Sequence, residues 1–222
     1  MTGARTLGLT VVVLAACNTD RSPTGAARAD TGAGRADTGA GRAGTGAAEA
    51  EGSPARHYFG DAVLVDQNGE RHRFYTDLVR DRTVIIDVFF THCTASCPIV
   101  AGTFARVQDH LGERLGRDVS MLSISVDPQQ DTPDQLAEYA QRFHARPGWY
   151  FLTGDRAEVE PTLRRLGEWV DQPNDHNALV LVGNDRTGLW KKALGLARPE
   201  AVIEVIDSVV NDRGEGAPTA QR

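Results

Sequence analysis

The chain has 222 residues, 41% of them hydrophobic, enough for one domain with a real core and for tails beside it. Its 24 lysines and arginines against 30 aspartates and glutamates give a formal charge of −6 with no basic stripe, which argues against nucleic acid as a partner. Past the first residues, no apolar run approaches the length of a membrane-spanning helix.

Residues 1–17 read as an export signal. Arg5 precedes an apolar segment, Leu7 to Ala16, that is too short to cross a bilayer. The segment ends in Leu14-Ala15-Ala16-Cys17, which is similar to a bacterial lipobox, whose cysteine becomes the lipidated first residue of the mature protein. On this reading Cys17 is a lipid anchor in a bacterial membrane, and the rest of the chain faces the periplasm or the cell exterior. Two thiols then remain, Cys93 and Cys97, in a compartment that permits disulfides. Residues 18–56 carry a seven-residue repeat, Arg28-Ala-Asp-Thr-Gly-Ala-Gly, again from Arg35, with a decayed copy from Arg42. No position of the repeat holds a large apolar residue, so there is no coiled-coil seam. Glycine, alanine and threonine with scattered charge make a flexible tether. Residues 212–222 are a polar, frayed tail.

Between them, residues 57–211 alternate regularly. Ala62 to Asp66 and Arg73 to Tyr75 flank an Asn68-Gly69 turn and predict a hairpin. Thr83 to Phe90, TVIIDVFF, predicts a strand covered on both faces. Pro98 lies in the first turn of a helix whose apolar positions run from Ile99 to Leu115. Val119 to Val126 is a second buried strand, and Asp131-Thr132-Pro133 starts a helix running to Phe143. Trp149 to Leu152 is a short strand, and Val159, Leu163, Leu166 and Val170 mark a third helix. Ala178 to Val182 and Leu189 to Ala193 are strands, and Val202 to Val209 a last helix. Strands alternating with helices predict an α/β fold with a central mixed sheet flanked by helices and an N-terminal β-hairpin. No glycine-rich fingerprint follows a strand, which excludes a dinucleotide-binding arrangement. The strand–cysteine–helix junction narrows the fold to a thioredoxin-like one.

That junction, THCTASCP from Thr91 to Pro98, carries the chemistry. A helix N-terminus favours negative charge and so favours thiolate. The i, i+4 spacing lets both sulfurs converge on one side of a turn. Three readings stand: two buried thiols, a redox disulfide with three intervening residues instead of the usual two, or a soft metal site that needs a third donor. Of six histidines, His92 adjoins the pair but tends to point away on extended backbone. His176, in DQPNDHN just before a strand, lies on the loop that approaches the redox turn in a thioredoxin-like sheet.

FFTHCTASCP (89 to 98), SISVDPQQDTPDQLAEYAQRF (123 to 143), GWYFLTG (148 to 154) and DHNALVLVGNDRTG (175 to 188) together resemble the SCO/SenC family, copper-binding thioredoxin-like proteins of cytochrome c oxidase assembly. The resemblance implies copper, Cu(I) or Cu(II), on Cys93, Cys97 and His176. It places Asp127 of the VDP motif near the site and makes Asp175 a partner that orients His176. It implies delivery of copper to the copper A subunit of cytochrome c oxidase or to another periplasmic copper or thiol protein, or maintenance of that site in its reduced form. Thr94 stands where many members have proline, and Asn177 where many have serine; neither change removes a ligand. The rival reading is an extracytoplasmic thiol-disulfide oxidoreductase that uses Cys93 and Cys97 alone.

Overall fold

The computed structural model describes residues 54–214. The lipobox with Cys17, most of the tether and the last residues of the tail lie outside them. In chain order the elements are α1 (Pro54–Phe59), β1 (Val63–Asp66), β2 (Arg71–Arg73), a π-helical turn (Phe74–Val79), β3 (Thr83–Phe89), α2 (Ser96–Leu111), β4 (Val119–Ser125), α3 (Pro133–Arg142), β5 (Trp149–Thr153), α4 (Arg156–Leu166), β6 (Leu179–Asn184), β7 (Leu189–Leu194) and α5 (Pro199–Val210). The seven strands form one sheet in the order β2-β1-β5-β4-β3-β6-β7. β3, β4 and β5 are parallel, and β6 returns antiparallel beside β3. This is the thioredoxin-like arrangement that the sequence predicts, and β1 with β2 is its N-terminal hairpin.

The topology determines what meets at the sheet end. Every residue of β3 and of β4 is buried, as their mostly apolar, β-branched character leads one to expect, with Asp87 and three serines buried among them. In the parallel pair Phe89 lies opposite Ser125, so the loops after both strands leave from the same edge. β6 runs the other way, with Leu181 opposite Ile86. The residues just before β6, among them His176, therefore sit level with the turn just after β3. Three loops distant in sequence converge there. Beneath them Phe89, Tyr139 and Phe151 form a buried aromatic cluster, with ring centroids 5.0 to 5.9 Å apart.

The element boundaries follow local chemistry. α3 begins at Pro133 behind Thr132, whose side chain and that of Gln135 form a reciprocal capping box. α2 stops at Leu111 because Gly112 turns the chain with φ of 54°, so Leu115 lies beyond the helix instead of inside it. α4 stops at Leu166 before the left-handed Gly167, which leaves Val170 in the loop. The second hairpin strand is Arg71–Arg73, not Arg73 to Tyr75. From Phe74 the chain coils so that Phe74, Tyr75, Leu78 and Val79 all bury their side chains, and the Asp77 carboxylate accepts the Arg73 backbone N–H at 2.7 Å. α1 begins at Pro54, within the segment that reads as tether. Its Phe59 packs on Trp190 at 4.9 Å, and Trp190 lies so closely over Gly183 that a Cβ there would overlap the indole.

Candidate metal centre

Cys93 closes a tight turn, donating its N–H to the Phe90 carbonyl at 3.1 Å. Cys97 is the second residue of α2. Both thiols are free and buried, Cys97 to 3% exposure and Cys93 to 9%. His176 follows the short 3-10 turn Pro173–Asp175 and reaches in from the loop before β6. Its Nε2 lies 3.2 Å from Cys97 Sγ, and its ring stands edge-on to Phe90 at 5.7 Å. The ligand atoms of Cys93, Cys97 and His176 all lie within 4.8 Å of one another.

The histidine is prepared from behind. Its Nδ1 sits 2.9 Å from the Asn177 carbonyl oxygen, an acceptor only, so Nδ1 carries the proton and Nε2 turns its lone pair toward the sulfurs. A backbone carbonyl, not the Asp175 carboxylate, thus holds the outer side of the ring. Asp175 is exposed and donates its own N–H to Gln172. Asp127 turns the chain after β4: its carbonyl accepts from Gln130 and Asp131, and its N–H donates to Ser125 Oγ at 3.0 Å. Burial and the neighbouring Asp131 charge raise its carboxyl, which faces His92. Neither aspartate belongs to the group of converging donors. His92 is exposed, and His72 and His110 are paired with Asp66 and Asp207. A second group among the described residues, Asp66, Glu70 and His72, staples the hairpin turn, with Asp66 Oδ1 accepting from the N–H groups of Asn68 and Glu70.

The two sulfurs differ electrostatically. Burial pushes the Cys93 thiol up, but contacts with the Cys97 thiol, the His176 ring and the N–H groups of Cys97 and Ala95 outweigh it and bring it down to about 7. The same helix start, deeper in, pushes the Cys97 thiol up, through burial first and then through the adjacent Cys93 and the buried Asp87. Cys93 is therefore the nucleophilic, exchangeable sulfur and Cys97 the protected one. Alkylation of the reduced, metal-free protein by iodoacetamide should reveal one fast thiol. Its rate rises with pH and is half-maximal near 7, and peptide mapping places the label on Cys93. Equal labelling of both cysteines at pH 7 contradicts this asymmetry.

Two groups under the site escaped sequence reasoning. Asp87 is the one charge in TVIIDVFF, buried to 4% exposure, with Oδ1 accepting from Ser123 Oγ at 2.6 Å. Burial raises its carboxyl to about 7, against the opposing pull of Ser123 and His176. Tyr139 is 2% exposed, its hydroxyl has no hydrogen-bond partner among the described residues, and burial followed by the Cys97 and Asp87 charges pushes its pKa up. A lone carboxylate in a strand covered on both faces was the available signal for Asp87.

Comparison with known proteins identifies the family. The model of the SCO1/SenC family matches residues 50–211. The SCO2-like protein of Rickettsia felis is 33% identical over 158 residues, 66% of this chain and 74% of that protein. The SCO2-like protein of Rickettsia prowazekii is 30% identical over 118 residues, 53% of this chain, and the match spans only 55% of that relative's length. Among solved structures, Arabidopsis thaliana ScoI with copper bound superposes with a TM-score of 0.55 and 26% identity, covering 69% of this chain and 96% of that one. With the cysteine turn, the helix start and the facing histidine all inside the matched residues, the chain belongs to the SCO1/SenC family.

Proposed function

We propose that this protein is a membrane-tethered copper carrier that holds its cargo on Cys93, Cys97 and His176. We further propose that it delivers that copper to the copper A site of cytochrome c oxidase, or keeps that site reduced. The observation that carries the reading is the convergence of two sulfurs and one imidazole nitrogen within 4.8 Å. The donor set fits the metal: two thiolates with one neutral imidazole suit Cu(I), a soft ion that accepts three ligands. When bound, the copper ion supplies a one-electron couple and a cargo that passes by ligand exchange. The protein's part is to offer Cys93 as a thiolate near neutral pH, to yield the Cys97 proton to the incoming metal, to present Nε2 of His176 unprotonated, and to shield Cys97 while Cys93 remains the exchangeable donor. Lipid anchoring through Cys17 would hold the domain at the membrane where an oxidase subunit is met.

The second reading, a thiol-disulfide oxidoreductase, is favoured by one observation: a low thiol at Cys93 beside a protected thiol at Cys97 is also the polarity of a redox pair. His176 separates the two, because dithiol exchange does not require it. His176→Ala should bind Cu(I) more weakly, with the loss concentrated in Cu(II), whose thiolate-to-copper absorption band collapses. Anaerobic titration followed by visible spectroscopy measures this. A His176→Ala protein with the wild-type Cu(II) spectrum removes His176 as the third donor, whereas weak, non-stoichiometric copper binding by the wild type with a readily cycled disulfide leaves the oxidoreductase.

A further inference from the structure

Two loops present the donors, and a third holds one of them in place. Asp131, 1% exposed, lies between β4 and α3, outside both the cysteine helix and the histidine loop. Its Oδ1 accepts the Thr91 hydroxyl at 2.5 Å and the Thr91 backbone N–H at 3.1 Å, while its Oδ2 accepts the Ser125 hydroxyl at 2.6 Å. Thr91 stands two residues before Cys93, inside the turn that Cys93 closes onto Phe90. One buried carboxylate therefore ties the cysteine turn to the end of β4.

The bonding continues outward with a defined direction. The Thr91 hydroxyl has one proton, and a carboxylate oxygen 2.5 Å away takes it. Toward His92 Nδ1, at 3.1 Å, Thr91 Oγ1 can then only accept. His92 therefore donates from Nδ1 to Thr91 Oγ1.

We propose that Asp131 is the positioning residue of the Cys93 turn: through Thr91 it sets where Cys93 Sγ stands relative to Cys97 and His176, and it fixes the tautomer of His92. The proposal rests on the reading of Cys93, Cys97 and His176 as one site. Cys97 is held by α2 and His176 by the loop before β6, so loss of the Asp131–Thr91 link displaces Cys93 alone. Asparagine at 131 offers a single acceptor for two hydroxyls and sets an amide N–H₂ against one of them. Sub-ångström to ångström displacement of a reacting group is worth roughly ten- to a hundredfold in effective concentration.

The test uses Asp131→Asn, Thr91→Val and Thr91→Ser in the full chain. The first readout is independent of copper: equilibration of the metal-free protein with glutathione disulfide, in which the Cys93 and Cys97 thiols give up two electrons and two protons to form their disulfide and release two glutathione thiols. Asp131→Asn and Thr91→Val should shift this equilibrium toward the dithiol by roughly tenfold or more, and Thr91→Ser should hold the wild-type value. The second readout is the nitrogen-15 spectrum of His92, which should show the Nδ1–H tautomer in wild type and Thr91→Ser and lose it in Thr91→Val. The third is the Cu(II)–thiolate band, displaced in the same two variants. If Asp131→Asn fails to fold, Thr91→Val against Thr91→Ser still decides. Wild-type disulfide equilibria in both Asp131→Asn and Thr91→Val overturn the proposal, as does a Thr91→Ser protein as impaired as Thr91→Val. A wild-type protein that takes up no copper ends the carrier reading but leaves the disulfide and nitrogen-15 readouts to judge Asp131.

Discussion

Cys97→Ser, reduced and handled without oxygen, should lose Cu(I) affinity by orders of magnitude while remaining folded. Cys97 lies on the first turn of α2, at 3% exposure, with its sulfur 3.2 Å from His176 Nε2. A serine hydroxyl is a hard donor that stays protonated at any working pH, so the soft ion is left with one thiolate and one imidazole. The structural effect is small by comparison. The serine O–H can still donate toward Nε2, and exchange of one buried small polar group for another costs about 1 kcal/mol. Cys93→Ser should match the loss in affinity from the outer side of the site. Because the Cys97 thiol is pushed up by burial, by Cys93 and by Asp87, the metal must displace its proton, and wild-type affinity should weaken as pH falls. Competition against a Cu(I) chelator at two pH values measures both effects. Stoichiometric, wild-type-like binding by Cys97→Ser removes Cys97 from the donor set and with it the three-donor site.

The parts of this site that could be read from sequence are those marked locally. The β3–cysteine–α2 junction declares itself through a doubly buried strand, two thiols one helical turn apart and a proline that starts a helix. The partner histidine does not. Nothing local connects Cys97 with His176, 79 positions away, and only the antiparallel return of β6 beside β3 brings them together. Fold resemblance singled out His176 where local pattern could not. Asp131 shows the opposite error. It reads as the lead-in to a capped helix, which it is, yet its side chain turns back to Thr91, 40 positions earlier. Local motifs describe what the backbone does next and not where a side chain finds its partner. The helix α1 was hidden for a related reason. It follows a glycine- and alanine-rich segment, and its aromatic anchor, Phe59, makes sense only against Trp190 from the far edge of the sheet.

Asp87→Asn should remove a pH dependence of stability that the wild type carries between about pH 4 and 7. In the unfolded chain an aspartate titrates near its model value of 3.8, whereas burial raises Asp87 in the folded domain to about 7. Below both values the group is protonated in either state and favours neither. Between them the folded state holds a proton that the unfolded chain has released, so stability falls as pH rises through that window. Above 7 the full penalty of an ionised carboxylate under the sheet end persists, roughly 4 kcal/mol for a shift of this size. Asparagine carries no charge at any pH and can keep the Ser123 contact, since its carbonyl oxygen accepts where Oδ1 does now. Its amide N–H₂ needs an acceptor, and one left unsatisfied costs about 1 to 3 kcal/mol at every pH. The net gain at pH 8 is therefore smaller than the shift implies, while the slope is unaffected by that constant term. Cys93, lowered to about 7, contributes the opposite slope at higher pH, which is why the difference between the two proteins is the quantity to read. Urea unfolding of the reduced, metal-free proteins at pH 5 and pH 8 supplies it. The expected result is a variant that is relatively more stable at pH 8 than at pH 5 by a few kcal/mol. Parallel stability curves for the two proteins would mean that Asp87 stays ionised in the fold, and that a second negative charge lies permanently beneath the sulfurs.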